Sequence, residues 1–288
     1  MDKKEGTLHH LQKGIIILSI IILVVILLLG LVAEVDRFIR VIWGVEKGVI
    51  WQKQELSGYL KKEVESLIYY YSKDHIVYPV AATIDPKSGK ILSEVNGEII
   101  DITANLESIF NAEENTELKA IKYRINPNLY QEDLEKITKV IGTYKTIITG
   151  RKERRENIRI AAEFINNQII LAGDIFSFNE VVGPRTKKRG FKEAPEIING
   201  ELSLGVGGGI CQVSSTLFNA LKADRFQIIE RHTHSRDISY VPDGKDATVA
   251  WEYLDFKFKN NFAKPIIIKV EIVGNQLIIK ILGSSELN

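Results

Sequence analysis

An uninterrupted apolar run near the start of the chain constrains its folding more than any other feature. Residues 14–33 carry no charged side chain and consist mainly of Ile, Leu and Val. A run of this length is sufficient to cross the hydrocarbon core of a membrane as a helix. Lys3, Lys4 and Lys13 precede it, and Glu34 and Asp36 follow it. The positive-inside rule therefore predicts a single-pass anchor with a cytoplasmic N-terminus and extracellular C-terminal domains.

A cleaved signal peptide is the competing interpretation of this run, since Ala33 could end one. The run is longer than a typical signal-peptide core, and Leu31 is too bulky for the usual cleavage pattern, so the anchor is favoured. The rest of the chain shows no basic excess, with 38 Lys and Arg against 37 Asp and Glu. The composition therefore predicts no nucleic-acid partner.

Hydrophobic periodicity and turn residues predict an α+β fold and divide the chain into five segments. They are a cytoplasmic tail (1–13), the anchor (14–33), a juxtamembrane helical segment (34–75), a small α+β module (76–145) and a C-terminal α+β domain (146–283). Residues 129–141 are predicted to be helical, and the charged residues 151–156 to form a solvated helix start or linker. In the last segment, a helix following residue 211 is expected to pack on an antiparallel sheet. The predicted strands there are 227–234, 247–259, 265–273 and 276–282.

The single cysteine of the chain, Cys211, directly follows three consecutive glycines at residues 207–209. Apolar residues spaced between Val213 and Leu221 predict a helix that begins near Cys211. The unpaired N–H groups and the positive dipole end of that helix would favour the thiolate, which is the nucleophilic form. Glycines also allow the backbone to approach a ligand closely. We therefore predict that Cys211 is the centre of chemistry.

Two other interpretations of Cys211 remain open at this point. A free cysteine is often a small buried hydrophobic residue with no reactivity. An exported chain with one cysteine cannot form an internal disulfide, so the thiol is either free or paired between chains.

Cysteine-dependent acyl transfer needs a base, a group that orients the base, and donors for the oxyanion. His232 and His234 end a predicted strand, and residues two apart on a strand face the same side. Asp246, at the start of the next predicted strand, fits the orienting role best. The order of Cys, His and Asp resembles that of papain-like and transglutaminase-like enzymes. The other acidic candidates are Asp237 and Asp255.

Each of these residues also has a structural interpretation. The histidines could be exposed strand residues, and Asp246 could stabilise a turn. Ser214 and Ser215 lie on the helical face of Cys211, where they could contact a substrate or satisfy backbone groups. His232, His234 and Cys211 are ligand types that zinc accepts, but a structural zinc site needs four ligands. No metal is therefore predicted, and a catalytic zinc with an open position is kept as an alternative.

Residues 146–283 resemble the VanW domain, a family named for an accessory protein of vancomycin B-type resistance clusters. The resemblance covers nearly half of the chain and is carried by several motifs in order. Residues 76–142 resemble, more faintly, the peptidoglycan-binding module often found before VanW domains. The matching motifs are residues 157–162, 173–179, 182–186, 207–220, 230–235, 246–249 and 255–261.

The resemblance implies an anchored cell-envelope protein, typically of Gram-positive bacteria. It also implies an L,D-transpeptidase that joins peptidoglycan stem peptides through the motif cysteine. Cys211 would be the nucleophile and His234 or His232 the base, with no cofactor. The alternative is a non-catalytic peptidoglycan- or glycopeptide-binding accessory protein of envelope assembly or vancomycin resistance. Predicted substrate-binding residues are Gly208, Gly209, Gln212, Ser214, Ser215 and, for a stem carboxylate, Arg185 and Arg231.

Overall fold

The computed structural model of the protein describes residues 2–198, 201–221 and 226–285. Helices and small sheets alternate along it, which confirms the predicted α+β class. The helices are α1 (Asp2–Trp43), α2 (Lys61–Asp74), α3 (Ile102–Phe110), α4 (Gln131–Glu135), α5 (Lys152–Ile165), α6 (Phe178–Val182) and α7 (Ile210–Ala220). The strands are β1 (Ile50–Trp51), β2 (Gln54–Glu55), β3 (Thr83–Ile84), β4 (Ile91–Leu92), β5 (Gly97–Ile100), β6 (Glu117–Leu118), β7 (Lys122–Ile125), β8 (Ile137–Ile147), β9 (Gln168–Ile170), β10 (Ile175–Ser177), β11 (Glu193–Ile198), β12 (Glu201–Val206), β13 (Phe226–Glu230), β14 (Lys257–Asn260), β15 (Ile266–Val273) and β16 (Gln276–Ser284).

Helix α1 contains the predicted membrane anchor. Its segment Ile16–Trp43 is long and apolar enough to cross a membrane, and no other helix of the described residues meets that test. All apolar side chains of the segment except the partly buried Ile39 are exposed in the protein. By length and composition, α1 is therefore a candidate single-pass anchor.

The chain forms two compact units, and the first contains residues 1–79 and 96–126. Its core includes Trp51, whose indole N–H donates a hydrogen bond of 2.9 Å to the buried side chain of Asn105. The predicted helical segment 34–75 is helical only in α1 and α2. Residues 44–60 instead form turns and the two short strands β1 and β2, because the positive φ angles of Gly48 and Gly58 interrupt the helix.

The second unit contains residues 80–95 and the chain from 127 onward, so the predicted module 76–145 is divided between the two units. The helix predicted at residues 129–141 is only the short α4, and β8 begins directly after it. The prediction of a helix to residue 141 was wrong because this segment is rich in β-branched residues, which favour a strand. They are Ile137, Thr138, Val140 and Ile141.

A four-stranded antiparallel sheet, in the order β8-β16-β15-β9, forms the base of the second unit. Side chains along β16 alternate between buried and partly exposed, and Leu277, Ile279 and Ile281 are completely buried. Helix α7 packs on β8 and β16, and α5 packs on α7 and β15. This confirms the prediction of a cysteine-bearing helix on an antiparallel sheet.

A second antiparallel sheet, in the order β10-β14-β13, adds an aromatic layer to the same core. The predicted strands 227–234 and 247–259 are shorter than expected, since only β13 and β14 are regular. Between them the chain makes isolated bridges at His232–Thr248 and Ala250–Leu254, and Glu252 takes a positive φ of 68° in the turn. This irregular segment carries part of the site described below.

We expect Phe258→Ala to destabilise the protein by about 3–5 kcal/mol, because a large aromatic side chain leaves a cavity in a close-packed core. Phe258 is completely buried and stacks on Phe176. Thermal unfolding of the detergent-solubilised chain would measure the loss. Tyr253→Ala, at a side chain that is 84% exposed, is the control and should leave stability unchanged.

Candidate active site

The glycine-rich segment before α7 sets the position of Cys211, which is the second residue of the helix. Gly207 and Gly209 have φ angles of 109° and 107°, a region that other residues rarely adopt. A Cβ at Gly208 would lie 2.6 Å from the carbonyl oxygens of Ala194 and Pro195. Each of the three glycines is therefore required by the backbone.

Asn157 fixes the same loop from the side of α5. Its buried amide donates hydrogen bonds to the carbonyl oxygens of Gly208 (3.0 Å) and Lys192 (2.9 Å), and its oxygen accepts from Lys192 N–H (2.7 Å). A buried side chain with all three contacts satisfied holds the loop rigidly.

The structure brings Cys211, His234 and Asp246 together. His234 Nδ1 lies 2.7 Å from Asp246 Oδ2, and the backbone N–H of His234 donates to the same oxygen at 2.6 Å. The His234 side chain also hydrogen bonds with Cys211, and the thiol donates to the Val249 carbonyl at 3.5 Å. Because Nδ1 faces the carboxylate, Nε2 is the ring nitrogen left for the thiol.

Electrostatics in this group favour a charged His234 beside a charged Asp246. Burial lowers the pKa of His234, but hydrogen bonds and charge interactions with Cys211 and Asp246 outweigh it and raise the pKa above its ordinary value. Burial raises the pKa of Asp246, but hydrogen bonds from the His234 backbone and ring lower it overall. The two side chains are only 8% and 7% exposed, so water screens their attraction weakly.

His232, the other predicted base, makes different contacts. Its Nε2 lies 3.0 Å from Glu230 Oε1, and its carbonyl accepts a hydrogen bond from the Thr248 N–H. The expectation that both imidazoles share one side of a strand does not hold, because β13 ends at Glu230. Only His234 is placed beside Cys211 in this structure.

Ser214 and Ser215 are completely buried and connect α7 to the segment after Asp246. Ser214 Oγ donates to the Ala247 carbonyl at 2.5 Å, and Ser215 Oγ accepts from the Ala247 N–H at 2.9 Å. These bonds hold Asp246 at a fixed distance from α7. Both serine hydroxyls therefore bond to backbone groups, which is the second of the two roles that the sequence left open.

Gln212 is also completely buried, and both the nitrogen and the oxygen of its side-chain amide form hydrogen bonds. Its nitrogen donates to Thr146 Oγ1 and to the Ile147 carbonyl, each at 2.9 Å, and its oxygen accepts from Arg154 at 2.8 Å. The side chain fastens α7 to β8 and holds Arg154 in place.

Two predicted arginines lie in different surroundings. Arg185 is half-buried near Cys211, and burial lowers the pKa of Arg185 to about 10, a shift that a thiolate at Cys211 would oppose. Arg231 stacks over Phe218 and donates to the carbonyl oxygens of Gly244 (2.8 Å) and Asp246 (3.1 Å). Arg231 therefore supports the segment that carries Asp246.

Asp255, an alternative orienting residue in the sequence, is occupied elsewhere. Its oxygens accept hydrogen bonds from Ser177 Oγ (2.5 Å) and from the Asn179 N–H (2.9 Å). Asn179 in turn accepts from Arg185 at 2.7 Å. Asp255 therefore supports Arg185 indirectly.

Sequence reasoning missed Arg154, Asn157 and Tyr240. Arg154 belongs to a charged run that suggested only a solvated helix start, and nothing in the local pattern marks Tyr240. The Tyr240 hydroxyl hydrogen bonds with Ser215, and its ring lies edge-on to His234 with centroids 6.4 Å apart. Burial raises the pKa of Tyr240, so its hydroxyl stays protonated at neutral pH. Within the described residues, no group of three or more His, Cys, Asp or Glu side chains is arranged to hold a metal ion.

Comparison with known proteins gives a family for this part of the chain. Residues 153–282 match the model of the VanW like protein family. The chain is 43% identical over 175 residues to the "Uncharacterized protein YoaR" of Bacillus subtilis (strain 168), a match that covers 60% of this chain and 58% of that protein. It is 32% identical over 110 residues to the "Vancomycin B-type resistance protein VanW" of Enterococcus faecalis (strain ATCC 700802 / V583), covering 36% of this chain and 40% of that protein.

The matches therefore span 58% and 40% of the lengths of these two relatives. No solved structure matches the chain. The family match includes all of Cys211, His234 and Asp246, and it confirms the family expected from the sequence motifs. These comparisons therefore support a VanW domain at residues 153–282 of the chain.

Proposed function

We propose that the protein is a membrane-anchored cysteine acyl-transferase that acts on peptidoglycan stem peptides at the outer face of the membrane. The observation that carries the proposal is the group of Cys211, His234 and Asp246, in which a buried carboxylate orients the imidazole beside the only thiol. This is the geometry of nucleophile, base and orienting group that acyl transfer requires.

In the first half of the reaction, the Cys211 thiolate attacks the carbonyl carbon of an amide in the donor stem. The carbon–nitrogen bond breaks, the leaving amine takes the proton held by His234, and a thioester remains on Cys211. In the second half, an amine of a neighbouring stem attacks the thioester and gives its proton to His234. A new amide forms and the thiol is restored; water in place of the amine gives hydrolysis.

The start of α7 supplies a donor for the oxyanion that forms during both steps. The N–H groups of Ile210 and Gln212 are bonded to the carbonyls of Gly207 and Gly209. Among the described residues, the Cys211 N–H has no such acceptor. This N–H group is therefore free to donate to the negative oxygen, and one such donor contributes about 10²–10³ in rate in other enzymes.

The anchor supports a location outside the cell. Basic residues precede the apolar run and acidic residues follow it, so the positive-inside rule favours a cytoplasmic N-terminus. The VanW domain would then face the cell wall, where stem peptides lie. The name of one relative refers to vancomycin B-type resistance, which agrees with an envelope role for this chain.

We expect Cys211→Ala to abolish product formation, because no other side chain can form the thioester. Detergent-solubilised wild type and variant would be mixed with purified tetrapeptide muropeptides and the products read by mass spectrometry. New dimers, or tripeptides lacking the terminal residue, should appear only with the wild type. Full activity of the variant would refute the proposal. Retention of muropeptides without product, by both proteins, would favour a binding protein instead.

We expect Asp246→Asn to reduce stability by about 1–3 kcal/mol, the cost of a weakened buried hydrogen bond, with a characteristic pH dependence. The lowered pKa of Asp246 makes its contribution present above its ordinary value of 3.8 and lost as pH falls through the folded value. The raised pKa of His234 makes its contribution present below 6.5 and lost as pH rises through the folded value.

The difference between wild type and Asp246→Asn should therefore be largest between pH 3.8 and 6.5 and decline on both sides. Denaturant unfolding across this range measures it. Asp237→Asn, at an exposed position on the same segment, is the matched control and should not change stability. A difference that is constant with pH would contradict the ion pair.

A further inference from the structure

Two arginine side chains enclose the glycine loop that precedes Cys211. A Cβ built on Gly207 would lie 3.1 Å from Arg185 Cβ and Cγ, and one built on Gly209 would lie 2.8 Å from Arg154 Cγ. The loop therefore has one arginine stem packed against each end. Both arginines also lie close enough to Cys211 for a thiolate there to interact with their guanidinium groups.

Neither guanidinium group forms an ion pair with an acidic side chain of the described residues. Arg154 donates to the Thr149 carbonyl (2.9 Å) and to Gln212 (2.8 Å), and Arg185 donates to the Gly183 carbonyl (3.0 Å) and to Asn179 (2.7 Å). Every one of these acceptors is neutral. The guanidinium of Arg185 also lies over the Trp251 ring, 5.7 Å from its centroid.

This arrangement is unusual for partly buried cations, which are normally paired with carboxylates because burial disfavours charge. Burial lowers the pKa of both arginines, and that of Arg185 falls to about 10. The carboxylate of Asp255 acts on Arg185 only at longer range, because its oxygens accept hydrogen bonds from Ser177 and Asn179 instead. Two cations without acidic partners beside a nucleophile form an environment suited to an anion.

We propose that Arg154 and Arg185 form a subsite for the free carboxylate of the group that leaves during acyl transfer. The inference rests on the proposed function and names its donor class: a stem peptide whose scissile amide joins a terminal amino acid with a free carboxylate. In such a donor the carboxylate carbon is two bonds from the scissile nitrogen. With the carbonyl carbon on the Cys211 sulfur, that carboxylate would lie beside the glycine loop against which both arginine side chains pack.

The subsite would select cleavage at the end of a stem over cleavage within it. An internal amide has no carboxylate at this position, so both cations would face a neutral group and lose their partner. When the carbon–nitrogen bond breaks, the leaving nitrogen takes its proton from His234 and departs as an amino acid with its carboxylate unchanged. A guanidinium fork suits this planar group because it can donate two parallel hydrogen bonds.

Two donors that differ only at the C-terminus test the subsite: a stem peptide with a free carboxylate and the same peptide as a carboxamide. We expect the full-length wild type to use the acid about 10- to 100-fold better in kcat/KM, the range for hydrogen bonds to charged groups. Arg185→Gln and Arg154→Gln should reduce that ratio about tenfold or more. A ratio within one protein does not depend on how much of the variant is folded.

Arg159→Gln is the matched control, because Arg159 lies on α5 like Arg154 but pairs with Glu156 at the surface. Its acid-to-amide ratio should equal that of the wild type. Equal losses for both donors in the Arg154 and Arg185 variants would overturn the inference, since the arginines would then serve only the thiolate or the fold. Equal use of both donors by the wild type would also overturn it while leaving the acyl-transferase intact.

Absence of turnover with either donor would refute the proposed function itself. Binding to the Cys211→Ala protein, measured by calorimetric titration, then decides the subsite separately. A preference for the acid that disappears in the Cys211→Ala, Arg185→Gln double variant supports it. Equal binding of acid and amide overturns it.

Discussion

The burial of polar side chains on α7 is the constraint on which the site depends. Gln212, Ser214, Ser215 and Thr216 are completely buried, and a buried polar group without a partner is costly. Each of these side chains has a hydrogen-bond partner: Gln212 bonds to β8, both serines bond to Ala247, and Thr216 bonds to Thr146. Since these partners lie on separate parts of the chain, satisfying them fixes α7 relative to the sheet and to the segment of Asp246. The position of the thiol relative to the carboxylate follows from this network.

Different elements of the same domain supply the side chains of the candidate site. The thiol comes from a helix in the core, whereas the imidazole and its carboxylate come from the irregular segment between β13 and β14. That segment is held by Arg231, which bonds to the Gly244 and Asp246 carbonyls, and by Asn219, which bonds to the Lys245 carbonyl. An irregular backbone suits this role because it can place the imidazole of His234 against the carboxylate of Asp246. A regular strand would not bring these two side chains into contact.

Local patterns were sufficient to predict an apolar helix of membrane-spanning length, the α+β class, the helix after Cys211 and the strands β15 and β16. They also predicted Asp246 as the orienting residue from its place in the chain, and in the structure its carboxylate contacts the His234 ring. Patterns failed where contacts are distant in sequence. His232 and His234 are equivalent by spacing, and only the end of β13 separates their surroundings. Arg154 and Arg185 are 31 positions apart by their numbers, and only packing against one loop makes them neighbours of the same thiol.

The glycine loop has a consequence for how sites of this kind can diversify. Residues 207–209 exclude side chains for reasons of backbone angle and close packing, so the rim next to the thiol has no adjustable groups. Substitutions there would be lost as failures of folding before any altered preference could be selected. New specificity has to come from the flanking arginines or from the segment between β13 and β14. A mutant library aimed at new donors would therefore randomise those positions and leave the loop untouched.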